Sequence, residues 1–197
     1  MHVPSADLWQ LPARVRSLIE GELNDGEKIM WIGTPIARQF AMRSLPVVLF
    51  AIPWTAFAIF WMAGASGFKI PDFTEGFSLF PLFGIPFVLI GFAMLSSPVW
   101  MMHKAKRTAY VITTDRAIIF AGGFSTTIRS FSPDRLTDLR RKQRPDGSGD
   151  LVFERQVSRD SDGDRQTTDH GFLAVANVKS VEDMVRKLVD RASQNKA

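Results

Sequence analysis

No Asp, Glu, Lys, Arg or His occurs between Ser44 and Phe68, or between Gly76 and Met102. Two charge-free runs of this length restrict the chain more than any average does. A charge at the centre of a membrane helix costs roughly 2.5–3.5 kcal/mol, so a bilayer selects such runs. A hydrocarbon core of about 30 Å is spanned by about 20 helical residues. Leu45–Gly64 (LPVVLFAIPWTAFAIFWMAG) and Phe77–Trp100 (FSLFPLFGIPFVLIGFAMLSSPVW) meet that length. Pro46 and Pro53 fall in the first run, and Pro81, Pro86 and Pro98 in the second. Membrane helices tolerate them as kinks. Trp61 and Trp100 stand near span ends, where interfacial aromatic anchors are expected.

Orientation follows from the basic residues. Arg38 and Arg43 precede the first run, and Lys104, Lys106 and Arg107 follow the second. The intervening stretch carries only Lys69. Both termini are therefore predicted on the cytoplasmic side, with the connecting loop outside. The predicted organisation has three parts. Residues 1–43 form a cytoplasmic amphipathic helix and strand, 44–102 a transmembrane hairpin, and 103–197 a cytoplasmic domain. The first apolar run begins too late for a secretory signal.

The net charge of +4 and pI of about 9.7 follow from those flanks. Nucleic-acid binding is not expected, because the aromatic residues are concentrated in the apolar runs and not interleaved with the basic ones. The chain has no cysteine, which excludes disulfides, thiolate metal sites and thiol catalysis.

Outside the runs, Leu11–Leu23 places Leu11, Val15, Leu18, Ile19 and Leu23 on one helical face. Glu27–Ile32 reads as a strand stopped by Gly33 and Pro35. After Thr108 come short strands at Thr108–Thr113, Ala117–Ala121, Phe124–Phe131, Leu136–Gln143, Asp150–Val157 and Gly171–Ala176, with Ser158–Asp169 as a polar, Asp-rich loop that could hold a short strand. A terminal helix over Ser180–Ser193 carries the stripe Val181, Met184, Val185, Leu188, Val189, with Ser180 as N-cap. The predicted class is an α+β membrane protein. It combines a two-helix transmembrane hairpin with an antiparallel sheet or open barrel capped by a C-terminal helix.

The order of these elements resembles the bacterial PH-domain family of membrane-anchored PH-like proteins. The segments that carry the likeness are GEKIMWIGTP at Gly26–Pro35, AYVITTDRAIIFAGG at Ala109–Gly123, GSGDLVFER at Gly147–Arg155 and GFLAVANV at Gly171–Val178. The resemblance implies a PH-like fold of about seven strands and one helix, and it does not imply an enzyme. PH-like scaffolds host lipid, peptide and protein ligands alike. Eukaryotic phosphoinositide sites need a basic loop between strands one and two. The corresponding hairpin turn here offers only Arg116, so that function is not carried over.

Two basic groups are candidate sites. Lys104, Lys106 and Arg107 suit anionic lipid headgroups, at about 1 kcal/mol per residue, as well as setting topology. Arg140, Arg141, Lys142 and Arg144 suit an acidic partner or membrane surface, or else guard an edge strand by charge. Alternation turns Arg141 away from Arg140 and Lys142. Asp160, Asp162 and Asp164 do not fit a calcium loop, because Gly163 and Gly171 occupy the wrong positions. His2, His103 and His170 are scattered, and no catalytic or nucleotide-binding motif is present. No metal, cofactor or catalytic residue is expected. The expected role is an interaction module for a protein or lipid, with a structural subunit of a larger membrane complex as the alternative. Gly84, Gly91, Ala93, Ser96 and Ser97 would permit close helix packing in that complex.

Overall fold

The computed structural model describes residues 8–68, 81–123, 125–159 and 165–194. It divides into two compact units. Met1–Phe40 and His103–Ala197 form one, and Ala41–Met102 the other. The described residues are α+β, with two antiparallel sheets and helices.

The first unit opens with helix α1 (Ala13–Glu22). Strand β1 (Ile29–Gly33) precedes the apolar segment in sequence, and β2 (Ala109–Thr113) follows it. The two nevertheless pair directly, Gly33 opposite Tyr110 and Ile29 opposite Thr113. With β3 (Ala117–Ala121) and β4 (Thr127–Phe131) they form a sheet in the order β1-β2-β3-β4. A 3-10 turn at Pro133–Leu136 leads to the second sheet, β5-β6-β7, made of Arg140–Gln143, Gly149–Arg159 and Arg165–Val175. Helix α6 (Val178–Gln194) ends the unit.

All five residues of β2 are buried, because both faces of the first sheet are covered. On one face Tyr110, Ile112 and Ile119 join Phe153 and Phe172 of the second sheet and Val181, Val185 and Leu188 of α6 in the main core. On the other face Val111, Ile118 and Phe120 pack with Leu11, Val15 and Ile19 around α1. A strand buried on both sides reads as a continuous apolar run, which AYVIT is. The α1 stripe is thus part of a second core.

Several boundaries differ from the sequence expectation. The strand expected at Phe124–Phe131 begins at Thr127, and the one expected at Leu136–Gln143 begins at Arg140, since Pro133 starts a 3-10 turn that buries Leu136. Much of the expected polar loop Ser158–Asp169 is strand. β6 and β7 pair Gln156 with Thr168 and Arg155 with Asp169 in a ribbon whose cross-strand contacts are polar. Cross-strand hydrogen bonds and ion pairs sustain a ribbon that shows no apolar alternation. Asp160, Asp162 and Asp164 lie outside the described residues. Helix α6 starts at Val178, so Ser180 is within its first turn and not its N-cap. Asn177, at φ 47°, precedes the helix, and its carbonyl accepts from Ser180 and Val181.

Helix α2 (Ala37–Ala41) runs through a 3-10 turn into α3 (Leu45–Ala65) of the second unit, and the helix Ala37–Ala65 is long and apolar enough to cross a membrane. Only 17% of its most apolar window is buried. Of the second expected span, residues 77–80 lie outside the described residues and 81–84 form a 3-10 turn. The remainder is two helices, α4 (Ile85–Leu95) and α5 (Ser97–Lys106), bent by 43° at Ser96. Pro98 has no N–H for the Met94 carbonyl, which removes one helical bond beside the bend. The packing of α3 on α4 uses small residues: Ala51, Thr55, Ala58 and Gly91 are buried. A Cβ on Gly91 would come within 2.2 Å of Thr55 Oγ1. Trp54 donates its indole N–H to the Phe87 carbonyl at 3.1 Å. The large residues Leu49, Phe50, Phe57, Phe60, Leu89 and Phe92 are exposed. Large apolar groups outside and small groups between helices invert the arrangement of a water-soluble helix pair.

Candidate functional site

Because β1 and β2 are antiparallel neighbours, the chain leaves the sheet domain after Gly33 and returns at Ala109 at the same end of one sheet. The site begins with how each leg is fixed there. On the outgoing leg, the Ile36 N–H donates to the Ala174 carbonyl at 2.7 Å. Ala174 is a buried left-handed residue, φ 54°, whose own N–H donates to Asp150 Oδ1 at 2.7 Å. Tyr110 donates its hydroxyl to the neighbouring Leu173 carbonyl at 3.1 Å. A side chain at φ > 0 is strained, and these three bonds hold the β7 bulge in place.

Gln39 completes the outgoing attachment. Its amide nitrogen donates to Ser148 Oγ at 2.7 Å and Asp146 Oδ2 at 3.0 Å, and its oxygen accepts from Arg144 Nη1 at 3.0 Å. The β5–β6 turn is preformed for it: Asp146 Oδ1 accepts from the Ser148 N–H and hydroxyl, and Gly147 supplies φ 80°. The Ser148 hydroxyl bond, first, and then the Ser148 N–H hold the Asp146 carboxyl below its ordinary pKa.

The returning leg is held by one hydroxyl. Thr108 Oγ1 donates to the Lys104 carbonyl at 2.9 Å and accepts from the Gly122 N–H at 3.2 Å. It therefore links the last turn of α5 to the β3–β4 turn. A Cβ at position 122 would lie 2.2 Å from the Arg107 carbonyl oxygen, so only glycine fits. Lys104, Lys106 and Arg107 are exposed on this leg. Among the described residues no carboxylate pairs with them. Arg38, on the outgoing leg, is exposed as well.

The second basic group is not one surface. Arg141 turns toward α6 and pairs with Glu182 at 2.5 Å, and Glu182 also accepts from Arg186 at 2.7 Å. Arg144 is engaged by Gln39. Arg140 and Lys142 remain exposed on the free edge strand, Arg140 lying 3.9 Å from Asp138. Trp61 is half-buried in a cleft of about 270 Å³ lined by Trp54, Phe57, Phe83 and Phe87, and Trp100 is exposed.

The opposite end of the first sheet carries a pair that sequence reasoning passed over. Arg116, in the β2–β3 turn, grips Glu27 in the α1–β1 connection. The hairpin at Thr114–Arg116 joins the second and third strands of the sheet, because Ile29–Gly33 is the first. The connection between strands one and two is the apolar segment itself. His170, on β7, contacts Gln156 Oε1 at 3.2 Å. Burial and then Arg129 hold its pKa below the ordinary histidine value. No group of His, Asp and Glu suited to a metal occurs among the described residues. Glu27, Gln39 and Asp150 each lie in or beside the quoted motifs, but nothing in their spacing pairs them with residues 24–109 positions away.

No protein-family model, curated protein or solved structure matches the chain.

Proposed function

We propose that the chain is a membrane-anchored PH-like interaction module that binds a protein or lipid partner at the cytoplasmic face of a bacterial inner membrane. The observation that carries this reading is the pairing of β1 with β2 across the apolar segment. Strands that pair must lie on one side of a bilayer, so a segment between them that enters the bilayer must return. The helix Ala37–Ala65 is long and apolar enough for one crossing, at about 1.5 Å per residue. The bent pair α4 and α5, 22 residues from Ile85 to Lys106, suits the return. Exposed cations on both legs favour the cytoplasmic side for the sheet domain. The four-plus-three strand arrangement closed by a C-terminal helix supports the PH-like assignment.

A photo-crosslinking residue at Lys142 or at Phe57, used in native membranes, tests the role. Reproducible capture of a defined protein or lipid through Lys142 supports the module. Capture through Phe57 alone supports the second reading, a structural subunit that joins a larger complex through its helices. That second reading is favoured by the aromatic cleft between α3 and α4, which is open on an apolar surface.

A further inference from the structure

Trp9 is 82% exposed, the most exposed large apolar residue among those described. Its place in the domain sets what the ring can meet. Helix α1 is fixed at its C-terminal end, where the Glu22 carbonyl accepts from Arg116 Nη2 at 2.7 Å in the β2–β3 turn. That turn lies at the end of the sheet away from the two legs. From there Ile19, Val15 and Leu11 are buried in succession. They share a cluster with Ala109 and Phe120, the pair nearest the legs on that face, both 0% exposed. A helix of 10 residues covers about 15 Å and a five-residue strand about 17 Å. Leu11, beside the N-terminal end of α1, thus belongs to the cluster that holds this pair, at the end of the domain from which the chain departs and returns. The Arg16 guanidinium sits 4.6 Å over the Trp9 ring, and Arg14 is exposed in the first turn of α1.

We propose that this end of the domain is a bilayer-contact surface, with Trp9 seated at the headgroup–acyl boundary and Arg14, Arg38, Lys104, Lys106 and Arg107 on anionic headgroups. The inference rests on the membrane reading above and adds a third attachment that is independent of the two legs. An indole, with an apolar body and one N–H donor, suits that boundary. The cations suit anionic lipid, at about 1 kcal/mol each near the surface. Attachment at α1 as well as at the two legs would limit tilting of the domain on its tethers.

The chain has no cysteine, so single substitutions give unique labels. Nitroxide is placed at Trp9→Cys, Asp115→Cys and Phe57→Cys in the full chain, reconstituted in phosphatidylcholine vesicles with and without phosphatidylglycerol. Access of oxygen and of a nickel chelate is then measured. The expected result is lipid exposure at 57, water exposure at 115, and nickel access at 9 several-fold below that at 115. Protection at 9 should weaken without phosphatidylglycerol, and equal protection in both lipids would remove the part assigned to charge. Nickel access at 9 equal to that at 115, with 57 in lipid, overturns this inference alone. Water exposure at 57 overturns the membrane reading with it. Brominated-lipid quenching keeps the native ring: Trp9→Phe should remove a quenchable part of the tryptophan emission, and removal of an unquenchable part contradicts the proposal.

Discussion

Arg116 donates from Nε to Glu27 Oε1 and from Nη2 to Glu27 Oε2, each at 3.0 Å, joining two segments 89 residues apart. The Glu27 side chain is 0% exposed and that of Arg116 19%. Thr113 adds a hydroxyl bond to Oε1 at 2.6 Å and the Asn24 N–H one to Oε2 at 2.9 Å. Every lone-pair direction of the buried carboxylate that faces the protein is therefore used. The pair ties the segment before the apolar unit to the hairpin after it, which makes it a lock between the two halves of the domain.

Arg116→Ala should destabilise the domain by about 3–5 kcal/mol, since it leaves a buried carboxylate without its partner. Chemical denaturation of the full chain in detergent checks this. The double variant Glu27→Ala, Arg116→Ala should lose less than the sum of the single losses, because the two side chains act as one unit.

The same pair sets an acid limit. Burial alone would raise the Glu27 pKa, but the bonds from Arg116, Asn24 and Thr113 outweigh it and hold the carboxyl below the ordinary glutamate value. The unfolded chain then binds the proton more readily than the folded one. The contribution is complete above about pH 4.3 and is lost as pH falls through the folded value. Glu27→Gln should be less stable than the parent at neutral pH, and the gap should close as the pH drops below that range. A gap independent of pH would rule this out.

For His170 the shift is also downward, from burial first and then from Arg129. The folded form binds its proton less readily than the unfolded chain does. Its contribution is therefore full above about pH 6.5 and declines as pH falls toward the folded value. Glu154 and Asp169 pull the other way. Arg129→Gln should raise the His170 pKa, measured by NMR titration of the imidazole, and Glu154→Gln should lower it.

Gln39→Ala should loosen the outgoing leg with little effect on the core. It removes the bonds to Ser148, Asp146 and Arg144, each worth about 1 kcal/mol net. Hydrogen exchange should rise at residues 144–148 and stay unchanged in β2 and β3. On the returning leg Gly122→Ala should be the more damaging change, because the new methyl meets backbone at Arg107 and backbone cannot swing aside as a side chain can.

Elements that announce themselves locally were legible in the sequence. The charge-free run over α3, the alternation and turn at β2–β3, and the stripe Val181, Val185, Leu188 each follow from period and composition. The ribbon end of β6–β7 was not legible, because its cross-strand contacts, Arg155 to Asp169 and His170 to Gln156, are polar and leave no apolar period. The 43° bend at Ser96 depends on how two helices settle around one missing N–H, which composition alone does not specify. At the site, the exposed cations of the two legs could be read directly from the sequence. The attachments made by Gln39, Asp150 and Thr108 could not, since each bond joins positions that only the sheet brings together. In the run at Arg140–Arg144, alternation turns Arg141 away from Arg140 and Lys142, but the partners that take up Arg141 and Arg144, Glu182 and Gln39, are distant in sequence and leave no local signal.

The central claim is that both halves of the sheet domain stand on one side of a membrane that the apolar unit enters and leaves. Single cysteines at Asp25 and Asp115, one in each half, measure this most directly with a membrane-impermeant maleimide. The account predicts labelling of both in inside-out vesicles and of neither in intact spheroplasts, with Phe57→Cys unlabelled from either side. Labelling of Asp25→Cys and Asp115→Cys from opposite sides, or of Phe57→Cys from either, would contradict it.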